Sequence, residues 1–320
     1  MNVFNEQQLK SIYDYIINYQ RTNGKAPSYR LIMKNCNLGS LATVYRNVND
    51  MMFLCNNTKQ VKMKRNKFLQ ISTENCLNSS EALPLEVISL YKKYSKKTNY
   101  AITDVTFSAC KGEIVGLLGP NGAGKSTTLK CITNMIPITS GEVFICGYSL
   151  KTSPIQALKQ LSFVTDNHSV FVKMTGMQYL SFMADVFGVE KSERERRISE
   201  LDEYFKMGDD IYKLIAEYSH GMKQKICMMG SLIHKPKLWI LDEPMIGLDP
   251  RTQCAVIDFI HSYASQGNTI LLSSHNLDAV KRICDRAIFI KGGKITTIID
   301  LKNNSQETSE LEKYYLSQEE

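Results

Sequence analysis

Residues 119–127 read Gly119-Pro120-Asn121-Gly122-Ala123-Gly124-Lys125-Ser126-Thr127, and no other stretch constrains the fold as tightly. The form is G-x-x-x-x-G-K-[ST]. Before it, Glu113-Ile114-Val115-Gly116-Leu117-Leu118 is a short apolar run that reads as a buried strand, and Thr127-Thr128-Leu129-Lys130-Cys131-Ile132 after it begins a helix. That context is what phosphate recognition needs. Glycines let backbone N–H groups turn inward onto an anion, and the helix N-terminus adds the positive end of its dipole. Lys125 then reaches β- and γ-phosphates, and the Ser126 hydroxyl binds Mg²⁺. A chain built around this loop is expected to be an α/β protein that binds a nucleoside triphosphate.

The 320 residues leave room for a second domain. The apolar fraction of 43% supports a sizeable core, and the nine cysteines include no C-x-x-C pair. They are expected to be reduced thiols of a cytosolic protein, with neither disulfides nor a zinc site. The N-terminus has no secretory pattern, and no run of about 18 apolar residues is present, so no membrane span is expected. The net charge of +7 is unevenly spread. Residues 1–75 hold eleven Lys/Arg against four Asp/Glu, which accounts for the entire excess. Such a footprint suits nucleic acid or an anionic membrane surface.

Within residues 1–75, Leu9, Ile12, Tyr13, Ile16 and Ile17 recur at helical spacing and predict a first helix from about Asn5 to Gln20. Ser28 precedes a second, Tyr29 to Cys36, and Ser40 a third with Leu41, Val44, Tyr45 and Val48 inward. The outer face of the third shows Thr43, Arg46 and Asn47, residue types that reach base edges or phosphates. Two short strands follow, joined by a segment that includes Lys62, Lys64 and Arg65. The run Gly24 to Leu54 resembles the winged-helix DNA-binding domain of LexA-type repressors. That resemblance implies a third helix in the major groove of duplex DNA and a basic hairpin as the wing. The same module also serves as a protein-interaction or dimerisation unit.

Residues 76–84 read as a polar linker, and the α/β pattern begins at Leu85. Leu238-Trp239-Ile240-Leu241 is an apolar strand ending in two carboxylates, Asp242 and Glu243. A buried strand delivers such residues to the sheet edge where the phosphate loop sits. Asp242 is expected to hold Mg²⁺ and Glu243 to orient and polarise the attacking water. From about 169 to 231 the chain reads as mostly helical, with Met174, Met177, Tyr179, Leu180, Phe182, Met183 and Phe187 expected in the core.

With Tyr218-Ser219-His220-Gly221-Met222 upstream of the carboxylate pair, Gly247-Leu248-Asp249 beyond it and Ser273-Ser274-His275 at the end of a later strand, residues 85 to about 300 resemble the ATP-binding cassette (ABC) family. The resemblance implies a mixed-sheet cassette with a helical subdomain, here preceded by the small winged unit. It also implies that Tyr94 stacks on adenine, that His275 contacts the γ-phosphate, and that the Asp166 position coordinates Mg²⁺. Ser219, Gly221 and Asp249 are then residues that complete the ATP site of a second cassette. Catalysis falls to Glu243, His275 and Lys125. Two residues depart from the family pattern: Asp166 stands for the usual glutamine and His220 for a signature glycine. The chain carries one cassette, so the resemblance implies a homodimer or pairing with another cassette protein. Met174-Thr175-Gly176-Met177-Gln178-Tyr179-Leu180 and Leu311-Glu312-Lys313-Tyr314-Tyr315-Leu316 are similar to segments of exporter-type cassettes. The expected protein is therefore the ATPase subunit of an ABC exporter, driving a separate permease from the cytoplasmic face of a membrane. The alternative is a soluble ABC ATPase that acts on DNA or regulates transcription. Its expected domains are 1–75, 85–300 and a tail at 301–320.

Overall fold

The computed structural model describes residues 15, 29–37, 82–94, 99–166 and 172–302. The chain separates into two compact units, Met1–Glu74 and Asn75–Glu320. In the first, the described part is helix α1, Tyr29–Asn35, where a helix is expected; its Ile32 is buried. Of the expected first helix only Tyr15 is described, and it is helical; the expected third helix, the wing, and Thr43, Arg46, Asn47, Lys62, Lys64 and Arg65 lie outside the described residues, as do most of the linker and the tail.

The second unit is built on two sheets. The smaller is antiparallel, of order β2-β1-β4-β5, from β1 (Leu85–Lys93), β2 (Tyr100–Ala109), β4 (Ser140–Ile145) and β5 (Tyr148–Ser149). The larger has the order β10-β9-β3-β8-β7-β6, from β3 (Ile114–Leu118), β6 (Leu161–Val164), β7 (Leu238–Asp242), β8 (Thr269–Ser274), β9 (Arg286–Lys291) and β10 (Lys294–Asp300). Strands β6, β7, β8, β3 and β9 are parallel, and β10 closes the edge antiparallel. Every residue of β3, β7 and β8 is buried. This is why those segments read as continuous apolar runs: a parallel strand covered on both faces has no solvent side to alternate with.

Helix α2 (Lys125–Ile132) follows the phosphate loop, and the short α3 (Pro154–Leu158) precedes β6. The helical region holds α4 (Gly176–Val186), α5 (Lys191–Phe205) and α6 (His220–Leu232). Thr175 starts α4 with a full capping box. Its Oγ1 accepts from Gln178 N at 3.2 Å, and Gln178 Oε1 accepts from Thr175 N at 2.9 Å. Of the apolar residues expected inside, Tyr179 and Leu180 are buried, and Met177, Met183 and Phe187 pack against the core. Phe182 departs. It is 38% exposed and lies four residues from the exposed Val186, so one flank of α4 is an apolar surface.

Helix α7 (Pro250–Ser265) returns the chain from β7 to β8, and α8 (Leu277–Ile283) from β8 to β9. Trp239 in β7 is fully buried. It meets Phe259 and Tyr263 of α7 edge-on at 5.7 and 6.0 Å, and its Nε1 donates to Ser231 Oγ of α6 at 2.9 Å. The strand that ends in Asp242 is thereby fixed against both helices. The two sheets meet along β2. At one end Thr103 N donates to Gly293 O at 2.7 Å. At the other the buried Arg286 donates to Ser108 O at 2.6 Å and pairs with Glu113 at 2.6 Å.

Six described cysteines carry free thiols. Of these, Cys131, Cys227 and Cys284 are shut in the core.

Candidate active site

The larger sheet places the expected residues together through its register. Leu118 pairs with Ser274, and Asp242 with Ser273, so the loop at 119–127, the pair Asp242-Glu243 and His275 all leave the sheet at its carboxyl edge. Asp166 follows β6 at the same edge, where Val164 pairs with Leu241. In parallel α/β sheets this edge is where ligands bind.

Gly124 is the N-cap of α2 at φ +110°, a conformation that costs a residue with a Cβ dearly. Lys125 is buried. Its Nζ donates to Gly119 O at 2.7 Å and Pro120 O at 3.3 Å, and lies 3.6 Å from Glu243 Oε1. Pro120, Asn121 and Gly122 are exposed, Ala123 is buried, and Ser126 and Thr127 are half-buried in the first turn of α2.

Ser126 Oγ donates to Asp242 Oδ1 at 3.1 Å, and Ser273 Oγ donates to the same oxygen at 2.5 Å. Burial, with the nearby Asp166 and Glu243 carboxylates, pushes Asp242 above the usual carboxylate range; the Ser273 and Ser126 hydroxyls oppose it. Its other oxygen, Oδ2, is buried and has no hydrogen-bond partner. An orphaned carboxylate oxygen beside a serine hydroxyl fits a hard divalent cation such as Mg²⁺. Among the described residues no group of three or more His, Cys, Asp or Glu could hold a metal ion alone. That also fits Mg²⁺, which takes one or two carboxylates and the rest of its ligands from phosphates and water.

Glu243 follows at φ +51°. Its N–H donates to Ser273 O at 3.2 Å and Ser273 Oγ at 3.1 Å, and its Oε1 is 2.9 Å from His275 Nδ1. Three side chains hold the turn that follows it. Gln224 of α6, fully buried, donates to Pro244 O, and Gln253 of α7 donates to Met245 O at 3.2 Å and Leu248 O at 3.1 Å. The third is His220, whose ring faces Gly247.

Tyr94 directly follows β1 at 36% exposure. The buried Lys92 places its ammonium 5.0 Å from the Tyr94 ring centroid while donating to Pro137 O at 2.6 Å. Ser219 and Asp249 are both helix caps. Ser219 Oγ accepts from Met222 N at 3.2 Å; Asp249 accepts from Arg251 N, Thr252 N and Thr252 Oγ1, which lowers its pKa. Gly221 lies next to the turn, with space for a Cβ 3.7 Å from Leu248. Sequence reasoning missed Ser273 as a partner of the Asp242 carboxylate and of the Glu243 amide, and it missed Lys92, Gln224 and Gln253. Ser273 had a signal, since it directly precedes Ser274-His275; the others have none.

Loop, strand order and carboxylate pair define a P-loop nucleotide-binding α/β protein. The sequence profile of the ABC transporter family matches residues 102–246. The linearmycin resistance ATP-binding protein LnrL of Bacillus subtilis is 33% identical over 67% of this chain and 68% of its own length. The doxorubicin resistance ATP-binding protein DrrA of Mycobacterium tuberculosis is 31% identical over 72% and 70%. The probable multidrug ABC transporter ATP-binding protein YbhF of Escherichia coli is 35% identical over 72% of this chain, which spans 40% of that protein. A solved ATP-binding subunit of an ABC transporter superposes with a TM-score of 0.69 at 30% identity, covering 75% of this chain and 100% of that one. The chain belongs to the ABC transporter family, as one of its ATP-binding, ATP-hydrolysing cassette proteins.

Proposed function

We propose that this chain is the ATPase subunit of an exporter, in which two cassettes close on ATP and drive a separate membrane permease. The observation that carries it is the convergence of Lys125, Ser126, Asp242, Glu243 and His275 on one sheet edge. The named relatives, resistance and multidrug ATP-binding proteins, support the export direction. ABC cassettes dimerise and typically pair with a permease. Among the described residues no helix is long and apolar enough to cross a membrane. The exposed apolar flank of α4, with Phe182 and Val186, suits that contact and would seat the chain at the membrane's cytoplasmic face.

In this reading the loop amides of 121–124 and Lys125 bind the phosphates, and Tyr94 stacks on adenine with Lys92 beside it. Ser126, Asp242 and Asp166 would hold Mg²⁺, which supplies charge neutralisation at the β- and γ-phosphates. Glu243 accepts a proton from the attacking water. His275, bonded to Glu243, orients that carboxylate and faces the γ-phosphate. Ser219, Gly221 and Asp249 face the nucleotide of the second cassette. Glu243→Gln keeps the shape of the side chain and removes the base. Turnover should fall about 10²- to 10⁴-fold while ATP binding and the ATP-bound dimer persist. Undiminished hydrolysis would remove Glu243 from its role.

For residues 1–75 the confined charge supports a second reading, a winged helix that binds duplex DNA through Thr43, Arg46, Asn47, Lys62, Lys64 and Arg65. Full-length protein should then bind duplex DNA with an affinity that drops steeply as salt rises. Absence of binding at low salt would end this reading.

A further inference from the structure

His220 stands where the family carries a glycine, and its position answers what the side chain does. It opens α6 directly after the Ser219 cap, so its ring leaves the first helical turn. Gly247 lies beneath that ring at φ +76°. A Cβ on Gly247 would sit 2.8 Å from His220 Nε2 and closer still to Cδ2. A side chain at 247 would have to push the exposed imidazole aside, on top of the strain of its left-handed backbone. Four residues on, Gln224 donates to Pro244 O. Residues i and i+4 share one helix face, so α6 grips the same turn at two points, Pro244 and Gly247. That turn begins with Glu243, whose left-handed backbone needs support from its surroundings. Its own internal restraint is modest: Ile246 N donates to Glu243 O at 3.3 Å.

We propose that His220 is a positioning residue for Glu243, acting by packing its ring on Gly247 so that the start of α6 and the catalytic turn move as one piece. The inference rests on the reading of Glu243 as the group that polarises water. Position 220 is also at the end of α6 assigned to the second cassette. The packing therefore gives each chain a mechanical link from the face it offers its partner to the carboxylate of its own site. A glycine there would leave the Gln224 side chain to hold Pro244 without the second contact at Gly247.

The test uses full-length protein, three single variants and one double variant. His220→Gly should lower kcat about tenfold with KM changed less than about twofold, because phosphate and base contacts are untouched while the carboxylate loses its placement. Amide exchange at Met245, Ile246 and Gly247 should speed up in the same variant. His220→Phe, which keeps a flat ring over Gly247 and removes both nitrogens, should recover at least about half of the wild-type kcat and exchange protection. Gly247→Ala should be severely impaired in the wild-type background and less so beside His220→Gly, since the backbone strain is common to both and the collision is not. Wild-type kcat and exchange in His220→Gly would overturn the proposal. So would a His220→Phe variant as slow as His220→Gly with normal exchange, because a nitrogen would then be doing the work. Additive effects in the double variant would also overturn it. Amide exchange reads the link without reference to hydrolysis, so a failure of the Glu243 reading, seen as turnover in Glu243→Gln, is distinguishable.

Discussion

Ser273→Ala tests how the buried carboxylate is held. The Ser273 hydroxyl is wholly buried and makes two bonds, donating to Asp242 Oδ1 at 2.5 Å and accepting from Glu243 N at 3.1 Å. The Glu243 amide keeps a second acceptor, Ser273 O at 3.2 Å, so its loss is small. Asp242 keeps the longer bond from Ser126 alone. The net deletion is one hydrogen bond to a charged, buried group, worth about 1.5–3 kcal/mol. For a domain of this size that is a drop in Tm of about 3–12 °C. A support for a metal-binding carboxylate typically affects affinity by about 10- to 100-fold, so the Mg²⁺ concentration for half-maximal hydrolysis should rise by that factor. ATP binding without Mg²⁺ should stay within about twofold of wild type, since no phosphate-binding group has changed. The assays are thermal unfolding of the full chain, Mg²⁺ titration of turnover and nucleotide binding in chelator. Ser274→Ala is the matched control, because its hydroxyl bonds to the backbone of Asn276 and to no acid of the site. An unshifted Mg²⁺ curve in Ser273→Ala would refute the reasoning, as would an equal shift in Ser274→Ala.

Lys92→Met removes a cation 5.0 Å from the Tyr94 ring and a bond to Pro137 O. ATP affinity should weaken about three- to tenfold, with no additional effect in a Tyr94→Ala background; a further loss there would show that Lys92 acts elsewhere. His234 stacks on Phe187 at 3.6 Å, and its Nε2 is 3.2 Å from Leu161 O. Burial, aided by Arg197 and opposed by the Leu161 carbonyl, pushes it down from 6.5 to about 4. The unfolded chain therefore binds the extra proton first, and stability falls as pH drops from about 6.5 to 4, by at most about 3 kcal/mol. Denaturant midpoints across that range should fall less in His234→Gln than in wild type. Parallel curves would remove His234 from the acid response.

The phosphate loop, the carboxylate pair and the Ser273-Ser274-His275 run were legible because each is a short contiguous signal at the end of an apolar strand. Their meeting was legible too, since parallel strands deliver their carboxyl ends to one edge. The supports were not. Gln224 donates to a carbonyl on another element, and Lys92 acts through its distance from a ring; neither contact leaves a local pattern. The division into two sheets was equally hidden. Strands β1 and β2 read like the others, yet they belong to the antiparallel sheet, and only four residues, 110–113, separate them from β3 in the other. Phe182 was misread because helical spacing reports an apolar face without saying which partner covers it.

The seam between the two sheets has a thermodynamic consequence. It is joined at one end of β2 by Thr103 and Gly293 and at the other by Arg286 with Ser108 and Glu113. On the proposed seating, Tyr94 belongs to one side of this seam and the phosphate loop to the other. A nucleotide that touches both is a cross-link between two parts that could otherwise open separately. By linkage its binding free energy is added to the local opening of the β1–β2 hairpin as well as to global unfolding. The cohesion of the fold and the occupancy of the site are then one equilibrium, and residues as remote from the phosphates as Arg286 set affinity by setting how often the seam is closed.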